Sequence, residues 1–219
     1  MSIRTTGPLP DLEHVDHVLS TTRAVRKRLD LSRPVPRAVV EECARLAFQA
    51  PNGSNEQHWG WVFVDDPGTR REMARIYRAG MADVHARRAV EGQVPDNSPP
   101  ARQRMVSSVE HLRDHLEEVP VLLVPTVTGR MDEASLFVQA SRWGTVCPGV
   151  WSLMLALRSR GLGSVWTTVH LEREREMAEL LGIPYDEVTQ AGLFPIAYTV
   201  GTRFSAADRS ATRIRWNRW

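Results

Sequence analysis

The chain has 219 residues, 42% of them hydrophobic, enough for one well-buried domain and too few for two. Its 28 lysines and arginines against 26 acidic residues leave a net charge of +2, too small to mark a nucleic-acid-binding protein, and two cysteines argue against a disulfide framework. No apolar run reaches the length of a membrane span and the opening MSIRTTGPLPDLEH lacks the apolar core of a secretion signal, so a cytoplasmic location is expected.

Val15, Val18 and Leu19 stand in helical register and predict a short helix leading into Ser20, Thr21 and Thr22. After the basic stretch 23–28, Val39, Cys43, Leu46 and Ala47 share one face of a helix over 36–50, closed by Pro51. Pro51-Asn52-Gly53-Ser54-Asn55 is turn chemistry, and the β-branched and aromatic run 58–64 reads as a strand ended by Asp65-Asp66-Pro67-Gly68. Residues 68–118 hold two charged helical patterns around a polar break from Gly92 to Pro100, expected to be a mobile excursion within 80–118. Segment 120–128 is apolar enough for a buried strand, with Pro125 suggesting an edge position or an irregularity. Leu136, Ala140, Trp143, Cys147, Val150, Trp151, Met154 and Leu155 keep helical spacing over 134–160, where Pro148 should kink or split the helix. Gly161-Leu162-Gly163 stops it; a strand over 164–168, a helix over 172–181 stopped by Gly182, and a last strand over 191–200 follow. The tail 202–219 interleaves five arginines with Phe204, Trp216 and Trp219.

This order predicts a single α+β domain over 1–219, a mixed central sheet flanked by helices on both faces. A helix as long as 134–160 is either a buried core helix or the seat of a second subunit.

Arg23-Ala24-Val25-Arg26-Lys27-Arg28 spaces guanidinium groups so that two can converge on one phosphate, although alone it reads more readily as a solvated basic turn. Ser54, Asn55 and Gln57, on a glycine-containing loop before a strand, offer short amides and hydroxyls to the polar edge of a heterocycle, or to the local backbone. Gly161-Leu162-Gly163 lacks a third glycine and ends a helix, which sets aside a dinucleotide fingerprint. His111 and His115 are four apart but have no third ligand nearby, so a solvated helix face is the better reading than a metal site.

As an ordered set, Arg23-Ala24-Val25-Arg26, Arg33-Pro34-Val35-Pro36, Ala50-Pro51-Asn52-Gly53-Ser54-Asn55-Glu56-Gln57, Pro148 and Gly161-Leu162-Gly163-Ser164-Val165-Trp166-Thr167-Thr168 resembles the nitroreductase family of flavoproteins. The ending 193–201, with Arg209 eight residues later and a Trp-rich terminus, resembles the family's last strand and tail. The resemblance implies an intertwined homodimer with FMN at the subunit interface, reduced by NADH or NADPH and reoxidised by a nitroaromatic, quinone or similar planar acceptor. By position it assigns Arg23, Arg26 and Arg209 to the flavin phosphate, and Ser54, Asn55 and Gln57, with Pro148 of a partner subunit, to the ribityl chain and ring edge. Trp166, Thr167 and Thr168 fall along the ring near its reactive nitrogen. No acid–base residue is needed, because the flavin carries the hydride chemistry. Departures at Ala24, His58 and Ser152, where the family often has serine, proline and asparagine, touch the phosphate and ribityl contacts. Two other functions stay open: a different flavin chemistry such as ene reduction, dehalogenation or flavin breakdown, and non-catalytic storage of FMN.

Overall fold

The computed structural model describes residues 11–90, 100–209 and 214–218. Its elements are α1 (Leu12–Thr21), α2 (Arg37–Ala47), β1 (Trp59–Val64), α3 (Pro67–Val90), α4 (Pro100–His115), β2 (Val121–Thr128), α5 (Leu136–Ser159), β3 (Leu162–Ser164), α6 (Glu174–Leu181), β4 (Val188–Gln190) and β5 (Phe194–Tyr198). Both charged helices expected between 68 and 118 are present. The break between them, 91–99, lies outside the described residues, as do 210–213 and Trp219 of the tail.

The sheet runs β1-β2-β5-β3, with β4 also on β2, and its strand pairings are antiparallel. The parallel component is a bridge between Ala24 and Ser164. Because side chains alternate along a strand, β2 feeds two cores. Val121, Leu123 and Val127 pack with Val40 and Cys43 of α2 and Val146, Val150 and Leu153 of α5. Leu122 and Val124 face the opposite side, against Met73, Ile76 and Tyr77 of α3, Leu112 of α4 and Met177 of α6. Helices therefore cover both faces, and the site forms where the chain crosses between these layers. Cys43 and Cys147 are free thiols. No helix among the described residues is long and apolar enough to cross a membrane.

Four expectations are sharpened or corrected. For Pro125 the irregularity holds and the edge position does not: it pairs with Trp61 inside β2, which has β1 on one side and β4 and β5 on the other. Its carbonyl accepts from Ala191 N–H at 2.8 Å. Since one residue's N and C=O point to the same side of a strand, the missing N–H falls opposite 191–193, where β4 gives way to β5. Pro148 does not split the long helix, which runs through it as one element because Val146, Val150 and Leu153 are fully buried on both sides of it. The final strand is two: β4 begins earlier than expected, and Gly192, at φ +156°, separates it from β5. The strand expected over 164–168 is also shorter, β3 ending at Ser164 and Thr167 returning as a bridge to Leu193.

Candidate functional site

The basic segment is held in place by its apolar residues. Val25 and Leu29 are buried in the core, and Val25 N–H donates to Ser164 O at 2.9 Å, laying the segment beside β3. Arg23 and Arg26 then line an open cavity of about 880 Å³. Trp151 and Met154 of α5 form one wall, Met105 and Ser108 of α4 another, and Trp166, just beyond β3, and Arg209 of the tail close it.

Three guanidinium groups line this cavity and no carboxylate does, among the described residues. Arg23 donates to Ser205 O at 2.8 Å, and among the described residues Arg209 reaches the Asp208 carbonyl alone, at 3.4 Å. Arg26 makes a long contact to Ser108 Oγ at 3.4 Å, and its Nε is buried without a partner. Burial pushes the Arg26 guanidinium below its usual range, partly opposed by the Tyr77 phenol. Unpaired cations in a concave site call for an anion, and a planar fork suits phosphate oxygens.

Trp166 is fixed as a wall. Its Nε1–H donates to Ala191 O at 2.9 Å, and its ring sits 5.2 Å from that of Phe194. Gly192 is required beneath it, since a Cβ there would lie 2.5 Å from Trp166 Nε1. Thr167 is buried, and both its N–H and its hydroxyl go to Leu193 O. Thr168 is exposed and caps the turn that follows.

The loop before β1 is strained. Ser54, Asn55 and Gln57 have φ of 52°, 58° and 53°, left-handed values that cost a non-glycine residue about 1–2 kcal/mol each. The backbone is held there from both ends: Asn52 Oδ1 accepts from Gln57 N–H at 3.0 Å, and Thr145 Oγ1 of α5 accepts from Gly53 N–H at 3.0 Å. Glu56 pairs with His58 and Arg142. The side chains of Ser54, Asn55 and Gln57 stay exposed, with no hydrogen bond to another described residue. Backbone strain of this kind clusters at functional sites, and here it falls on outward-facing polar residues.

Of the residues singled out from sequence, Arg23, Arg26, Trp166 and Arg209 share the cavity within one chain. Ser54, Asn55 and Gln57 lie on the strained loop that Thr145 of α5 holds, Pro148 sits further along that helix, and Thr167 and Thr168 follow Trp166; none of these six lines the cavity. Sequence reasoning missed Met105 and Ser108, whose helix shows no strong apolar stripe, and read Trp151 only as one of the apolar residues of the long helix. A second cavity of about 230 Å³ lies between α2 and β1, where Arg37 is already forked onto Asp65 with Nη2 at 2.7 Å, leaving that cation satisfied.

The nitroreductase family model matches residues 19–198. An iodotyrosine deiodinase from Nematostella vectensis is 26% identical over 178 residues, covering 80% of this chain and 63% of its own length. This chain thus spans about three fifths of that relative. A protein of Archaeoglobus fulgidus named "Putative NADH dehydrogenase/NAD(P)H nitroreductase" is 24% identical over 213 residues, covering 95% of this chain and all of its own. The crystal structure of an oxidised iodotyrosine deiodinase bound to FMN and 3-iodo-L-tyrosine superposes with a TM-score of 0.70 at 21% identity, over 94% of this chain and 100% of that one.

Proposed function

This chain belongs to the nitroreductase family, and from that premise we propose that it is an FMN-dependent NAD(P)H oxidoreductase reducing planar acceptors such as quinones and nitroaromatics. The observation that carries the reading is the cavity of Arg23, Arg26 and Arg209 with no carboxylate among its described lining residues. Its residues fit the cofactor. The three guanidinium groups would hold the phosphate, the orphaned Arg26 Nε–H being a donor in wait of an oxyanion. Trp166 would lie along the ring with Thr168 beyond it, and Thr167 would act through its bridge to Leu193, which spends both of its donors. When bound, FMN supplies the hydride-accepting and hydride-donating chemistry, and the protein binds and orients it.

We propose further that the site is completed by a second copy, Ser54, Asn55, Gln57 and Pro148 of the partner subunit meeting the ribityl chain and ring edge. Support comes from the position of these residues outside the cavity lining of their own chain, and from exposed apolar side chains on α5 (Leu136 and Phe137, each 82%) and α1 (Leu12, 62%). A cytoplasmic location fits the two free thiols.

A second reading, reductive dehalogenation of a halogenated phenol, is favoured by the similarity to deiodinases. Turnover separates the two. Oxidation of NADH or NADPH coupled to a quinone or nitroaromatic, with the parallel-line pattern of two half-reactions at one site, is the expected result. Iodide release from 3-iodo-L-tyrosine with no quinone turnover would favour the second reading, and bound FMN without either activity would point to storage.

A further inference from the structure

The segment that brings Arg209 to the cavity has no helix or strand between 200 and 209, so its carbonyls lack the partners that regular structure supplies. Arginine side chains take that place. Arg28 donates from Nε to Val200 O at 2.9 Å, from Nη2 to Gly201 O at 2.8 Å and from Nη1 to Arg203 O at 2.8 Å. Arg158 Nη2 donates to Thr202 O at 3.0 Å, and Arg23 Nη1 to Ser205 O at 2.8 Å. The carbonyls of 200, 201, 202, 203 and 205 are thus all held by three guanidinium groups.

The ring of Phe204 fills the space between two of them, 4.0 Å from Arg28 and 4.8 Å from Arg158. Two cations on one ring repel: burial and the neighbouring Arg28 charge both push the Arg158 guanidinium below its usual range. Neither has a carboxylate partner among the described residues, so the gain that offsets this cost comes from the hydrogen bonds to the tail carbonyls and the contacts with the Phe204 ring. Immediately beyond the clamp, Ala206, Ala207 and Arg209 line the cavity, which Arg28 itself does not reach.

We propose that Arg28, with Arg158 and Phe204, forms a positioning clamp that fixes the tail so that Arg209 meets the phosphate of a bound flavin. The proposal rests on the flavin reading above. Arg28 is a positioning residue acting through the backbone of 200–205, and it makes selection of phosphorylated over unphosphorylated flavin depend on a residue outside the cavity.

The test is the ratio of riboflavin to FMN dissociation constants, measured on full-length protein stripped of flavin. Arg209→Ala should lower that ratio by about tenfold to a hundredfold, the worth of a charge-assisted bond to phosphate. Arg28→Met, which keeps the aliphatic stem, should lower it in the same direction, and the double variant should fall no further than Arg209→Ala alone. Phe204→Leu, milder for folding, should give a smaller drop, and both Arg28→Met and Phe204→Leu should speed amide exchange across 200–209 in the flavin-free protein. A ratio that falls in Arg209→Ala but not in Arg28→Met or Phe204→Leu overturns the clamp alone. A ratio unmoved by Arg209→Ala overturns the phosphate assignment, and the role given to the clamp falls with it.

Discussion

Arg26 shows how little of a side chain's role lies in its identity. Its guanidinium is half-buried, has one long contact to a serine hydroxyl and leaves Nε without a partner, an arrangement that costs free energy until an anion arrives. Replacing Arg26 or Arg209 by alanine should weaken FMN binding by about 1.5–3 kcal/mol while changing riboflavin binding little, as calorimetric titration would read; equal losses for both flavins would contradict phosphate binding. His170 carries a second prediction. It is fully buried in the turn between β3 and α6, and burial pushes its pKa down to about 4, with the Gln190 amide opposing. The unfolded chain takes up this proton near the usual histidine value and the folded chain does not, so stability is full above about pH 6.5 and declines as pH falls towards 4, by about 3 kcal/mol from this group. His170→Leu should flatten the pH dependence of the denaturation midpoint across that window; an unchanged slope would contradict it. The arginines were legible in the sequence as a spaced motif. The burial of His170 was not, because nothing in the local pattern of 169–173 shows that α3 lies across it.

The strained loop and the close helix crossing belong to the scale of elements. Left-handed residues at Ser54, Asn55 and Gln57 are tolerated because Asn52 and Thr145 hold the backbone from both ends. Asn55→Gly should therefore leave thermal stability unchanged or raise it by up to about 1 kcal/mol while weakening flavin binding; a large loss of stability would mean that the Asn55 side chain supports the fold. At Gly80 of α3 a Cβ would stand 2.5 Å from Val169 O. Gly80→Ala should lower stability by about 1–3 kcal/mol despite alanine's better helix propensity, and an unchanged melting temperature would show that the 169–173 turn yields. The turn chemistry of 51–55 could be read from composition, but its handedness depends on a hydroxyl from α5, far away in sequence. For the same reason Pro125 misleads: alone it signals an edge, and only the handover from β4 to β5 opposite it shows how a central strand accommodates it.

For the whole molecule, helices on both faces of the sheet were legible, since β2 is apolar on both faces and helical segments alternate with the strands along the chain. The cavity was not, because α1, α4, α5 and the tail meet there only after folding. The exposed apolar residues of α1 and α5 are expected to be covered by a second copy that completes the site. Phe137→Asp, at a side chain 82% exposed in the single chain, should shift sedimentation from dimer to monomer and lower flavin affinity together. A monomeric variant that binds FMN as tightly as the parent would contradict a shared site.

The most direct test of an FMN-dependent oxidoreductase is the visible absorbance spectrum of the purified protein, before and after anaerobic addition of NADH or NADPH. A flavin spectrum, present on isolation or after adding FMN, that bleaches with one of the two nicotinamides is the predicted result. A protein that takes up no FMN, or whose bound FMN stays oxidised with both, would contradict it.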